Sequence, residues 1–227
     1  MASYRGHLAF SSLLGGAYAG LAAWHWQMDW GPVLLGAGFT TLGGLLPDLD
    51  SDSSLPVREV FGLAAAATPV LLVRRVLSHG FTTEQTLVLL SGVYLLVRYG
   101  ARALLGRLTV HRGMFHSIPA MLIAGLLVLI VYQGPALPIR LYLAGGVMLG
   151  YLSHLVLDEL CSVDLLGTRP RLKKHAGSPL KLFSSSWPAT LLTYGLLAWL
   201  VYLVHLEFDQ AATGRRETFW SVFFGRN

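Results

Sequence analysis

The chain has 227 residues, of which 54% are hydrophobic and only 13% are charged, whereas soluble domains carry about 25% charged residues. Its mean hydropathy of +0.56 and its six tryptophans are typical of a polytopic membrane protein and exclude a water-soluble globular domain. The single cysteine excludes an intrachain disulfide. The formal net charge of +5 comes from basic residues just beyond apolar segments, so it indicates membrane orientation and not nucleic-acid binding.

Seven apolar segments are long enough, or nearly long enough, to cross a bilayer as helices. In chain order they are 8–24, 33–46, 60–73, 87–97, 118–132, 141–157 and 189–206. The second is short and rich in glycine, so we expect it to be tilted, re-entrant or closely packed on its neighbours. The predicted fold class is all-α: one domain over residues 1–227, built as a polytopic transmembrane bundle of about seven helices, with 207–227 as an interfacial tail.

The basic residues predict the orientation of this bundle. If all seven segments cross, eleven of the 17 Lys and Arg residues share the side of the N-terminus and six lie on the other side. By the positive-inside rule, the side with eleven is cytoplasmic. Trp24, Trp26 and Trp30 then lie at the opposite face, as an interfacial aromatic belt would. We expect an integral protein of the bacterial inner membrane.

Four polar clusters interrupt the apolar background, and all four fall on the predicted cytoplasmic side. They are Gly6-His7 before the first segment, LPDLDSD (46–52) after the second, HRGMFHS (111–117) before the fifth and SHLVLD (153–158) at the end of the sixth. The charge bias assigned the sides without reference to His or Asp, so this coincidence indicates one shared site. We expect a metal site at that membrane face.

The residue types in these clusters are those that bind metal ions. His154 and Asp158 lie four residues apart, so a helix places both on one face. An ionisable residue inside an apolar helix is a functional candidate by default, and a helix-end pair that only orders water is the alternative. Asp48, Asp50 and Asp52 bring three carboxylates close together, for which a solvated acidic turn is the alternative.

His111 and His116 flank a glycine turn that can direct two imidazoles at one centre. Between them, Arg112 offers a planar fork suited to a phosphate or carboxylate; the alternative is a basic segment that binds anionic lipid headgroups. His7 becomes a candidate only through its position at the common face. Imidazole and carboxylate together favour zinc, with manganese or iron as alternatives, as one ion or more. The candidate metal ligands are His7, Asp48, Asp50, His111, His116, His154 and Asp158.

The ordered set of clusters resembles the YdjM family of predicted membrane-bound, metal-dependent hydrolases. The family pattern is GH near the N-terminus, LPDxD after the second apolar segment, HRGxTHS and GYxSHLxxD, and residues 5–165 of this chain carry the set. Two positions depart from it: Ser51 stands where the family often has His, and Phe115 stands where it has Thr. The resemblance implies a hydrolase that depends on a divalent metal.

The helical pair His154 and Asp158 is also similar, as a fold-level analogy, to the HxxxD or HxxxE pairs of zinc-dependent phospholipase C and nuclease P1. This likeness implies cleavage of a phosphoester. We expect the substrate to be a phospholipid or lipid phosphate at the cytoplasmic interface, with Arg112 and Asp52 as catalytic residues. Two other classes stay open, a metal or proton transporter and a non-catalytic adaptor stabilised by metal. The sequence does not determine the oligomeric state.

Overall fold

A computed structural model of the chain describes residues 3–50, 54–101, 115–132, 136–161, 163–164, 171–172, 182–183 and 186–213. Within these residues it contains seven α-helices. They are α1 (Tyr4–Trp24), α2 (Trp30–Gly43), α3 (Ser54–Ser78), α4 (Thr83–Leu95), α5 (Ile118–Val131), α6 (Leu137–Leu160) and α7 (Trp187–Thr213). Each helix overlaps one of the seven predicted apolar segments, which confirms the predicted all-α class.

Shorter elements connect these helices. A 3-10 helix, Leu46–Asp50, follows α2, and a π-helical turn, Leu96–Ala101, continues α4. Between α6 and α7, strands β1 (Val163–Asp164) and β2 (Arg171–Leu172) pair in antiparallel fashion. This two-residue pairing leaves the fold class unchanged.

Among the described residues, three helices are long and apolar enough to cross a membrane. They are Phe61–Ser78 within α3, Leu137–Leu160 and Trp187–Asp209 within α7. Helix α5 is equally apolar but has 14 residues, fewer than the roughly 20 that span a bilayer. Helix α7 continues past the predicted segment end at 206, so the first part of the predicted tail 207–227 is helical. Residues 214–227 lie outside the described part of the chain.

Short polar side chains fix where two of the helices begin. The hydroxyl of Ser117 accepts a hydrogen bond from the amide of Ala120 at the start of α5, and Ser3 caps α1 in the same way. Such N-caps satisfy amide groups that have no partner inside the helix. Because Ser117 is the cap, His116 lies directly outside the first turn of α5.

Helix α2 packs against both α1 and α6, and glycine allows it to approach α6 closely. A Cβ atom at Gly150 of α6 would overlap the carbonyl oxygen of Thr40, and one at Gly43 would overlap that of Val147. Small residues at helix contacts inside membranes bring backbones together, and van der Waals packing then holds the pair. Of the three expectations for the second segment, close packing is the one that the structure shows.

The C-terminal end of α5 is held by two arginines from neighbouring helices. Arg75 of α3 is buried and donates a hydrogen bond to the carbonyl of Ile130 at 3.3 Å. Arg140 of α6 donates from Nε to the carbonyl of Leu129 at 3.2 Å and forms a 2.7 Å salt bridge with Glu207 of α7. The last carbonyls of a helix lack partners within it, and positive charge is favourable there. These contacts join four helices at one end of the bundle.

Candidate metal centre

All four polar clusters contribute side chains to one end of the bundle. His7 lies in the first turn of α1, Asp48 in the 3-10 helix after α2, His116 directly before α5, and His154 and Asp158 in the last two turns of α6. Ligand atoms of Asp48, His116 and His154 lie within 4.8 Å of one another, and so do those of His7, His154 and Asp158. These buried and half-buried groups can hold a metal ion.

Two imidazole nitrogens and two carboxylate oxygens are close neighbours in the cluster. The Nε2 atom of His154 is 3.7 Å from Oδ1 of Asp48 and 3.7 Å from Oδ2 of Asp158, and Nε2 of His116 is 3.9 Å from each of these oxygens. These separations are too long for hydrogen bonds. In a tetrahedral zinc site with bonds of about 2.0–2.1 Å, neighbouring ligand atoms lie about 3.3–3.4 Å apart. The four nitrogen–oxygen separations are about 0.3–0.6 Å longer than this spacing.

A main-chain carbonyl determines which ring nitrogen of His154 carries the proton. Its Nδ1 atom lies 2.7 Å from the carbonyl oxygen of Gly44, and a carbonyl only accepts, so Nδ1 carries the proton and donates. In the neutral ring the lone pair is then on Nε2, which is buried and has no hydrogen-bond partner among the described residues. A metal-binding histidine commonly donates its other ring N–H to a backbone carbonyl in this way. The donor set therefore fits a metal ion.

The end of α2 supplies this carbonyl because the last carbonyl groups of a helix have no partner within it. Gly44 is the C-cap residue of α2, and a Cβ atom there would overlap Ser11 of α1. The Ser11 hydroxyl donates to the carbonyl of Thr41 at 3.3 Å. Side chains from α1 and α6 thus hold the end of α2 against the cluster.

His7 lies on the buried side of the cluster. Its Nε2 atom is 3.1 Å from Oδ1 of Asp158, and its ring stacks on that of His154 with centroids 3.6 Å apart and planes inclined by 10°. The ring of His116 instead meets that of His154 at an interplanar angle of 68°. The three imidazoles are therefore not equivalent.

The cluster is closed toward the helices and open at one edge. The side chains of His7, His154 and Asp158 are 0–2% exposed, whereas His116 is 13% and Asp48 is 16% exposed. Burial raises the pKa of Asp48, an effect that His7 opposes and Asp158 reinforces. A carboxylate in such an environment is stabilised in its ionised form by a nearby cation.

Several predicted site residues lie outside the described part of the chain. They are His111 and both candidate catalytic residues, Arg112 and Asp52, together with the side chain of Asp50. The structure therefore places five of the seven candidate ligands, His7, Asp48, His116, His154 and Asp158, in one cluster.

Sequence reasoning missed two residues that support the cluster. Gly44 gives the carbonyl that fixes His154, and the glycine-rich end of the second segment was the available signal. The hydroxyl of Tyr151 donates a hydrogen bond to the carbonyl of Phe115, next to His116. Tyr151 was part of the GYxSHLxxD pattern, but no role followed from its position there.

Nearly the whole chain matches one known protein family. A family model described as YdjM inner membrane protein matches residues 1–224. The chain belongs to the YdjM family. The YdjM match extends beyond residues 5–165, which carry the motifs, and takes in α7. No match came from the curated proteins or from the solved structures.

Proposed function

We propose that the protein is a metal-dependent hydrolase that cleaves a phosphoester of a lipid or lipid-linked substrate at the cytoplasmic face of the inner membrane. One observation carries the proposal. Ligand-type atoms of Asp48, His116, His154 and Asp158 converge at one end of an apolar bundle, and the edge formed by Asp48 and His116 is partly exposed. A catalytic metal site keeps an open position, whereas a structural site is closed by protein ligands.

The donor set supports a divalent ion of borderline hardness. Two imidazole nitrogens and two carboxylate oxygens suit zinc best and also accept manganese or iron. We propose that His116, His154, Asp48 and Asp158 hold the ion. When bound, a divalent ion supplies Lewis-acid activation of water and neutralises charge on phosphoryl oxygens.

The residues around the ion would fix its geometry and bind the substrate. The Gly44 carbonyl orients His154, so that its Nε2 atom is directed at the cluster. Arg112 precedes His116 by four residues, and its guanidinium is suited to bind two nonbridging phosphate oxygens at once. Asp52 follows Asp48 in the same acidic run, and we propose it as an acid or base beside the ion.

A lipid phosphoester suits the position of the site. Asp158 lies two residues before the end of α6, at the limit of an apolar span, so lipid tails can stay in the bilayer while a phosphate reaches the cluster. Basic residues near the predicted cytoplasmic face would attract anionic headgroups by about 1 kcal/mol each. Transporter sites usually lie near the bilayer midplane on broken helices, so the position at a helix end favours the hydrolase.

The test is an activity screen of zinc-loaded protein in detergent against phospholipids, isoprenoid phosphates, nucleotides and soluble esters. We expect turnover of a lipid phosphoester. The change Arg112→Lys should lower that turnover strongly and leave zinc content unchanged, because lysine keeps the charge and loses the fork. Arg107→Lys in the same segment is the matched control. Hydrolysis of soluble esters alone, with a silent Arg112→Lys change, would contradict the phosphoester proposal.

A further inference from the structure

The orientation of the imidazole rings separates His7 from the other two histidines. The bonding lone pair of an imidazole nitrogen lies in the ring plane, so a coordinated ion lies close to that plane. The rings of His7 and His154 are stacked at 3.6 Å with planes inclined by only 10°. Two such planes do not cross within the site, so one ion cannot lie in both. The planes of His116 and His154, at 68°, do cross.

The two oxygens of Asp158 face different histidines, which again distinguishes His7 from His154 and His116. Oδ1 is 3.1 Å from Nε2 of His7, which is hydrogen-bond distance, whereas Oδ2 faces Nε2 of His154 and of His116 at 3.7 and 3.9 Å. An ionised carboxylate only accepts, so Nε2 of His7 donates and cannot bind a metal through that nitrogen. The lone pair is then on Nδ1, which is buried without a hydrogen-bond partner among the described residues, and it lies in a ring plane that does not cross that of His154 within the site. Oδ2 is then the oxygen turned toward His154 and His116.

We infer that His7 is a positioning residue and not a metal ligand: it holds Asp158 through Oδ1 so that Oδ2 faces the ion, and its ring covers one face of His154. The inference rests on the proposed metal site and assigns the roles within it. Ligating carboxylates are themselves hydrogen-bonded by outer residues, and loss of such a partner typically costs 10- to 100-fold in metal affinity.

The position of His7 in the fold suits this role. Ser3 caps α1 one turn before His7, and its carbonyl accepts the His7 amide at 3.0 Å. One turn later, Ser11 ties α1 to the end of α2. The first turns of α1 are therefore fixed at both ends of the segment that carries His7, which keeps its ring in place against Asp158.

X-ray absorption of zinc-loaded protein in detergent tests the inference by counting imidazole ligands. We expect two imidazoles and one zinc ion per chain in the unaltered protein. His7→Gln should keep both imidazoles and weaken zinc binding by less than about 10-fold, because an amide N–H can still donate to Asp158. His7→Ala should weaken it further. His116→Gln, the matched control, should leave one imidazole.

The same measurements distinguish a wrong assignment of His7 from a wrong assignment of the metal site itself. Loss of an imidazole in His7→Gln, a count of three that His111→Gln leaves unchanged, or a second zinc ion that His7→Gln removes would overturn the assignment of His7. If His116→Gln keeps the full count, the proposed metal site itself is wrong. If the His7 variants do not fold, the unaltered protein and His111→Gln together decide: a third imidazole that is present in both would come from His7.

Discussion

The hydroxyl of Tyr151 donates a hydrogen bond to the main-chain carbonyl of Phe115, and this bond ties α6 to the residue before His116. The acceptor is the backbone, so the bond is made whatever side chain stands at position 115. The departure from the family pattern at Phe115 therefore leaves this support of His116 in place.

The change Tyr151→Phe tests that support. It keeps the ring and removes the hydroxyl, so we expect zinc affinity to fall by about 10- to 100-fold, as for other outer residues of metal sites. Competition with a coloured chelator measures the affinity. Tyr142→Phe is the control, since Tyr142 lies on the same helix and its hydroxyl also donates to a carbonyl, that of Val33 at 3.4 Å. Equal loss in both variants would mean that the effect is general to α6.

Removal of the metal should destabilise the protein, and the effect should require Asp158 as a ligand. A bound ion adds about 2.7 kcal/mol to the free energy of unfolding when present at 100 times its Kd, so a chelator should lower the thermal midpoint. In Asp158→Ala the zinc content should fall to background and the chelator should have no effect. Glu159→Gln changes the adjacent residue, whose side chain lies outside the cluster, and should respond like the unaltered protein. A chelator response in Asp158→Ala would exclude this carboxylate as a ligand.

The contact between α2 and α6 should depend on Gly150. We expect Gly150→Ala to lower the free energy of unfolding by about 1–3 kcal/mol, because the added methyl group overlaps the carbonyl of Thr40. Zinc affinity should fall as well, since Gly44 moves away from His154. Thermal unfolding in detergent measures the first effect. Gly38→Ala is the control on α2, where an added Cβ meets nothing within 4 Å, and a similar loss there would contradict the close-contact explanation.

The orientation can be tested by labelling single cysteines in a Cys161→Ser background. We expect Ser3→Cys and Thr109→Cys to resist an impermeant reagent in intact cells, because the distribution of basic residues predicts that both lie on the cytoplasmic side. Asp29→Cys, in the connection between α1 and α2, should be labelled from outside. The Asp29 side chain is exposed and makes no capping hydrogen bond, so its replacement should be tolerated. The reverse pattern would put the metal site on the outer face.

The local sequence pattern was enough to predict the helices. It also predicted that the polar residues meet at one end of the bundle. An apolar run is itself the signal for a helix, so the segments around 118–132 and 141–157 needed no tertiary information. If all seven predicted segments cross, His7 and Asp158 lie on the same membrane face, which is how the sequence predicted one shared site. The roles of single atoms could not be predicted from the sequence. The position of the proton on His154 depends on the carbonyl of Gly44, and the orientation of the His7 ring depends on its packing against His154.

The bond between His154 and Gly44 has a practical consequence for capturing a substrate complex. His154 acts at once as a candidate ligand and as the cap of α2, so its replacement would leave the end of that helix without a partner. Asp48 lies at the open edge, and among the described residues its side chain caps no helix end in this way. For the proposed hydrolase, an inert protein that stays folded and retains its substrate is therefore better made as Asp48→Asn than by any change at His154.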